Sequence, residues 1–195
     1  MKRMNVKSAI AAAGLLVSVC VFAGNVKWLE NFNDAKDVAK KENKYILADF
    51  TGSDWCPWCI KLDKEVFAKA EFKKYADKNL VLFKADFPKK KVQAVDTKDQ
   101  NVRLMDEYQV YGFPTVLLMT AGGEVVFTTG YQEGGSKPYI KSLEKAISDY
   151  KAKQAAAEKE KAKATLVIKG ESDTAIKTDL SACNTVTTSC DADTK

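Results

Sequence analysis

The sequence predicts an α/β domain with a central mixed β-sheet and helices on both faces, followed by a C-terminal helical extension and a mobile tail. Three observations carry that expectation. Two apolar runs of strand length, Tyr45–Phe50 and Leu80–Asp86, are each followed by a helical pattern. A Gly122-Gly123 turn then joins Val116–Met119 to Glu124–Thr129, which reads as an antiparallel pair. A last helix, with Ile140, Leu143, Ile147 and Tyr150 at helical spacing, closes the domain. Strand, helix, strand, helix, hairpin and helix is the order of a layered mixed sheet.

Each element has a local reason. Asn33 is the expected cap of a helix over 34–41, with Ala35, Val38 and Ala39 on one face and Phe32 before it; Asn43-Lys44 ends it. Tyr45–Phe50 is apolar enough for the centre of a sheet. Pro57 suits the first turn of the next helix, which carries Cys59, Leu62, Val66 and Phe67, with a further turn or two over 71–76. Residues 88–100 read as a Lys-rich loop, with Lys89-Lys90-Lys91 solvated, before a helix over 101–108. The stretch 151–163 is rich in Ala, Glu and Lys and has no apolar face, so it reads as a solvated extension. Residues 165–195 are rich in Thr, Ser and Asp and are expected to be mobile.

The chain has 195 residues, a formal net charge of +5 and no histidine. Without histidine, Cys/His zinc sites, Ser-His-Asp and Cys-His catalysis and histidine-ligated haem are excluded. The N-terminus has the order of a secretory signal peptide: basic Lys2, Arg3 and Lys7, an apolar stretch over 8–22, and Ala23 before Gly24. The apolar run is shorter than a spanning helix needs. A lipoprotein signal at Cys20 is disfavoured by the bulky Val19 before it. Cleavage after Ala23 removes Lys2, Arg3 and Lys7 and lowers the charge from +5 to +2. The basic balance lies largely in the leader and implies no nucleic-acid partner.

The mature chain keeps Cys56, Cys59, Cys183 and Cys190. Cys56 and Cys59 stand three positions apart at a helix start, directly behind Trp55. A disulfide can close and open reversibly there, and helix N–H groups stabilise a thiolate at the first sulfur. Structural bridges and zinc sites use the same spacing. A four-cysteine zinc site is disfavoured because six residues separate Cys183 from Cys190. Cys183 and Cys190 are expected to bridge each other, with a second redox pair as the alternative. No metal and no cofactor are expected.

Asp49-Phe50, Gly52-Ser53-Asp54-Trp55-Cys56-Pro57-Trp58-Cys59, Lys84, Phe113-Pro114-Thr115 and Gly130, in that order, resemble the thioredoxin fold family. The closer resemblance is to its exported bacterial members with a Gly-Ser-Asp-Trp-Cys-x-x-Cys motif, and it covers about 25–150. It implies that Cys56 is the exposed attacking cysteine and Cys59 the buried resolving one. Asp49 would be the buried carboxylate that exchanges a proton with Cys59, and Lys84 its charge partner. Pro114 would be a cis-proline beside the disulfide, with the backbone of Phe113 pairing with substrate. Trp55 and Trp58 read either as apolar cover or as substrate contacts. Two departures are plain: the approach loop is one residue longer than usual, and Pro57-Trp58 replaces Gly-Pro.

The expected function is a periplasmic or otherwise exported thiol–disulfide oxidoreductase, leaning toward reduction. Its partners would be protein substrates and a redox partner that supplies or accepts electrons. Membrane contact is expected only through that partner or an uncleaved leader, and the chain is expected to be a monomer. The competing reading is a binding module whose Cys56–Cys59 disulfide is structural.

Overall fold

A computed structural model describes residues 27–182, with side chains through 161. The leader, Cys20, Cys183 and Cys190 lie outside the described residues. Five strands form one sheet in the order β1-β3-β2-β4-β5: β1 (Trp28–Leu29), β2 (Tyr45–Thr51), β3 (Leu80–Asp86), β4 (Thr115–Met119) and β5 (Val125–Thr129). β3 lies parallel to both β1 and β2, whereas β4 is antiparallel to β2 and β5. The expected mixed sheet is therefore present, with one addition. The two-residue β1 is too short to show any periodicity and was not foreseen.

Helix α1 (Phe32–Glu42) is capped by Asn31, not Asn33. The Asn31 side chain accepts from the N–H groups of Asn33 and Asp34 at 2.9 and 3.2 Å, so the helix begins earlier and Phe32 is inside it. Asn43 ends it in the left-handed region at φ 52°. α2 (Pro57–Leu62) starts with proline at its first position and passes into a π-helical turn, Asp63–Phe67. α3 (Ala70–Asn79) leads into β3. α4 (Val95–Glu107) begins six residues before the expected 101. Its early turns bury little (Val95 is exposed) and no side chain caps it, so neither start signal was present. α5 (Ser136–Ala182) is one helix that continues through 165–182, where composition suggested a mobile segment; no proline interrupts it.

Alternation along β2 divides the interior into two layers. Ile46, Ala48 and Phe50 join Phe83, Leu117 and Met119 beneath α1 and α4. Leu47 joins Leu82, Val116 and Leu118 beneath α2, α3 and α5. Asp49 follows Leu47 in the same alternation and therefore faces the second layer, under the helix that carries the cysteines.

Candidate active site

The chain leaves β2 at Thr51 and must turn sharply to enter α2. The Gly52 carbonyl closes the turn by accepting from the N–H groups of Trp55 and Cys56 at 3.2 and 2.9 Å. A Cβ at position 52 would come within 2.5 to 2.8 Å of the Trp55 indole. The rest of the loop is fastened to the segment after β3. Ser53 donates twice to the Asp86 carboxylate, from N–H at 2.9 Å and from Oγ at 2.6 Å. The Asp54 carboxylate accepts from the N–H groups of Lys89 and Lys90 at 3.0 and 2.7 Å, which holds its carboxyl below the ordinary value. Trp55 Nε1 donates to the Phe87 carbonyl at 2.7 Å, and the Lys89 ammonium lies 3.9 Å from the Trp55 ring centre. The expected solvated Lys-rich loop is thus, in its first residues, a brace for the approach to the cysteines.

Cys56 and Cys59 are joined as a disulfide, with Cα atoms 5.3 Å apart. Cys56 is also the N-cap of α2, where its sulfur accepts from the Cys59 N–H at 3.2 Å. Cys56 is only 4% exposed and Cys59 3%. The expectation of an exposed Cys56 therefore needs correction in this oxidised form. Access distinguishes the pair instead: Cys56, and not Cys59, lines a cleft of about 750 Å³ shared with Trp55, Met105, Gln109, Tyr111 and Phe113.

The Phe113–Pro114 peptide bond is cis. The Phe113 ring packs edge-on to Trp55 at 6.0 Å and lies 5.0 Å from Phe87. Gly130 explains itself here, since a Cβ at that position would sit 2.9 Å from the Pro114 carbonyl oxygen. Trp58 lies away from the cleft and is 54% exposed. Its ring is 5.2 Å from Tyr131, with the Lys61 ammonium 5.1 and 4.8 Å from the two ring centres. Tyr131 in turn donates to Glu65 at 2.7 Å.

Asp49 sits in the sheet between Lys84 on β3 and Val116 on β4. It is buried, and its Oδ1 has no hydrogen-bond partner. Burial pushes its carboxyl up to about 7; Lys84 opposes that rise, whereas Asp63 and Asp86 add to it. No ion pair joins Asp49 to Lys84 among the described residues, and the Lys84 ammonium lies 4.9 Å from the Trp28 ring centre. Lys84 acts on Asp49 through its charge and not as a bonded partner. One residue of this layer was missed by sequence reasoning: Tyr139, which is 1% exposed and has an unpartnered hydroxyl.

A disulfide at a helix start, a neighbouring cis-proline and a buried carboxylate below them match the expected family. A model of the thioredoxin-like domain family matches residues 32–147. The chain belongs to the thioredoxin-like family. Among its thioredoxin-like relatives, the disulfide bond reductase DsbH of Chlamydia pneumoniae is 34% identical over 127 residues, 65% of this chain and 76% of that protein. A solved structure of a DsbH oxidoreductase covers 75% of this chain and 95% of its own, with a TM-score of 0.62 and 29% identity. The thioredoxin-related protein DsbJ of the same organism is 24% identical over 138 residues, which span 66% of this chain but only 40% of that protein. The five-stranded architecture is accordingly a thioredoxin fold.

Proposed function

We propose that the Cys56–Cys59 pair exchanges disulfides with protein substrates outside the cytoplasm, chiefly in the direction of reduction. The chain is a thioredoxin-like protein disulfide oxidoreductase; the residue roles, the direction and the compartment are our reading. The observation that carries it is the closed Cys56–Cys59 disulfide at the start of α2, with Cys56 alone of the two lining the cleft beside cis Phe113–Pro114. The DsbH relative, named a disulfide bond reductase, supports the direction. The basic, apolar, small-residue order of 1–23 supports export. No helix among the described residues is long and apolar enough to cross a membrane.

In the reduced enzyme the Cys56 thiolate, favoured at a helix N-terminus, attacks one sulfur of a substrate disulfide, and the other substrate sulfur leaves as a thiolate. Cys59 then loses its proton to Asp49 and attacks the Cys56 sulfur. The Cys56–Cys59 bond forms, the mixed disulfide breaks, and the second substrate sulfur leaves with the electron pair. A carboxyl that titrates near 7 is suited to take that proton and to return it when a redox partner reduces the pair again. Trp55 and the backbone of Phe113 would border the bound substrate, and Trp58 would contribute a separate exposed surface.

Insulin reduction with dithiothreitol tests this reading. Wild type should accelerate precipitation, Cys56→Ser should fall to the uncatalysed rate, and Cys59→Ser should accumulate a mixed disulfide through Cys56. An inactive wild type, or a fully active Cys56→Ser variant, would favour a binding module with a structural disulfide.

A further inference from the structure

Two buried side-chain oxygens among the described residues lack a hydrogen-bond partner: Asp49 Oδ1 and the Tyr139 hydroxyl. They come from different elements, β2 and α5, yet enter the same layer. Asp49 shares the face of Leu47, Val116 and Leu118, and Tyr139 packs in the cluster formed by those residues. The Tyr139 ring is fixed edge-on against Phe67 at 5.9 Å and Phe72 at 6.4 Å. Ser136, one turn before it, anchors the helix start by donating to Glu71 at 2.8 Å. The ring is thus held in place while its polar tip stays unused. An unpaired buried hydroxyl is unfavourable, and phenylalanine would fill the same space without that cost.

The two orphans are chemically complementary. A phenol offers one O–H donor, and an ionised carboxylate accepts only. The other groups around Asp49 cannot fill that role. Lys84, across the β2–β3 register, has its ammonium over Trp28. Asp63 at the end of α2 and Asp86 on β3 carry the same charge as Asp49, and Asp86 is already bonded to Ser53. Burial, followed by the charge of Asp49, raises the Tyr139 hydroxyl well above its ordinary value, so it remains a donor at any working pH.

We propose that Tyr139 is a positioning residue whose hydroxyl is the hydrogen-bond donor held for the Asp49 carboxylate when it ionises, directly or across one enclosed water. This rests on the reading of Asp49 as the acceptor of the Cys59 proton. When Asp49 is ionised and waiting to accept, the Tyr139 O–H stabilises that state. When Asp49 holds the proton, the bond weakens and the proton is free to return. The buried carboxyl is thereby kept within the range where it can work in both directions.

The test is Tyr139→Phe, which removes one oxygen and keeps the ring packing. Carboxyl-carbon NMR of the oxidised, aspartate-labelled protein follows the Asp49 titration directly. Its midpoint should rise by about 0.5 to 1 pH unit in Tyr139→Phe, because a donor to the charged form is lost. In the same variant, the inflection in the pH profile of insulin reduction should move up with it. Tyr139→Leu, which also removes packing, should lower the melting temperature and shift the midpoint similarly. An Asp49 midpoint that is unchanged in Tyr139→Phe overturns the proposal and makes Tyr139 a core residue only. If the NMR midpoint moves and the kinetic inflection does not, the Tyr139–Asp49 link stands and the proton-transfer role of Asp49 fails.

Discussion

The two faces of β2 have been put to different uses. Toward α1 and α4, Ile46, Ala48 and Phe50 enter an apolar layer. The buried polar side chain on α4, Asn101, is hydrogen-bonded through both its amide groups: it donates to the Asp86 carbonyl at 2.9 Å and accepts from Gln100 at 3.1 Å. Toward α2 and α5, the alternate residues Leu47 and Asp49 enter a layer that includes an unpaired carboxyl oxygen and an unpaired phenol. The first layer follows the rule that buried polar groups are satisfied. The second breaks it directly beneath the helix that carries the disulfide. One sheet therefore holds a face that stabilises and a face that is left energetically poised, and a group held out of balance can change protonation where a satisfied one cannot.

The largest effect expected from disturbing this contrast lies on the stabilising face. Phe83 is fully buried on β3, with its ring 5.1 Å from Phe32. Phe83→Ala should cost about 3–5 kcal/mol, because the transfer energy is lost and a cavity remains. Chemical denaturation measures that loss. Insulin reduction per folded molecule should stay within about twofold of wild type, since Cys56, Cys59 and Asp49 lie outside the layer that Phe83 fills. A variant that folds well but exchanges disulfides much more slowly would show that the two faces are coupled.

Asp49→Asn tests the poised face, and here the sign is opposite. The folded Asp49 carboxyl titrates near 7, above its ordinary 3.8. The native state therefore binds more protons than the unfolded state between those values, and stability falls as pH rises through that window. The penalty is complete above about 7 and amounts to on the order of 4 kcal/mol. Asparagine has no charged form to desolvate. Relative to wild type, Asp49→Asn should gain stability as pH goes from 4 to 8, by up to about 4 kcal/mol. Denaturation curves for both proteins at the two pH values give the difference. A constant difference would mean that Asp49 is not desolvated. With Asp49 read as the acceptor of the Cys59 proton, the same variant should also slow insulin reduction.

Much of this contrast is legible in the sequence, and the part that is not has physical causes. The apolar run Tyr45–Phe50 put Asp49 in a strand suited to the centre of a sheet, with Leu47 and Phe50 as apolar neighbours. Phe113-Pro114 could be placed beside the cysteines only through family resemblance, since it lies far along the chain. The Asp54 brace was invisible because it uses backbone N–H groups of Lys89 and Lys90, and every residue but proline offers one. Tyr139 stands one helical turn before Leu143, on the buried centre of the stripe, and escaped because the apolar pattern was read only from Ile140 onward. Its burial comes from Phe67 and Phe72, on elements that the local pattern does not link to α5. Cys56 looked exposed because a motif shows which sulfur comes first and not how closely Trp55 and the 105–113 segment approach it.

The smallest effect is expected where neither face is involved. α5 packs on the sheet through Tyr139 and Leu143, with Ile140 and Ile147 half-buried beside them. Tyr150 makes the last anchoring contacts: its hydroxyl donates to Glu124 at 2.7 Å, and its ring lies edge-on to Tyr45 at 6.5 Å. From Lys151 to Lys161 every side chain is exposed, and the Lys151 ammonium stands 6.0 Å from the Tyr45 ring centre. A surface helix with no apolar stripe buries too little to stabilise the domain it leaves. Removing 151–195 should therefore change stability by less than about 1 kcal/mol, a shift of roughly 4 °C or less in melting temperature. Reduction of a small disulfide by Cys56–Cys59 should be unchanged in the shortened protein. A larger melting shift would mean that residues after 150 pack on the domain. Lost activity in a protein that still melts normally would instead assign Cys183 and Cys190 to electron transfer with the Cys56–Cys59 pair, and the poised layer would then serve two dithiols.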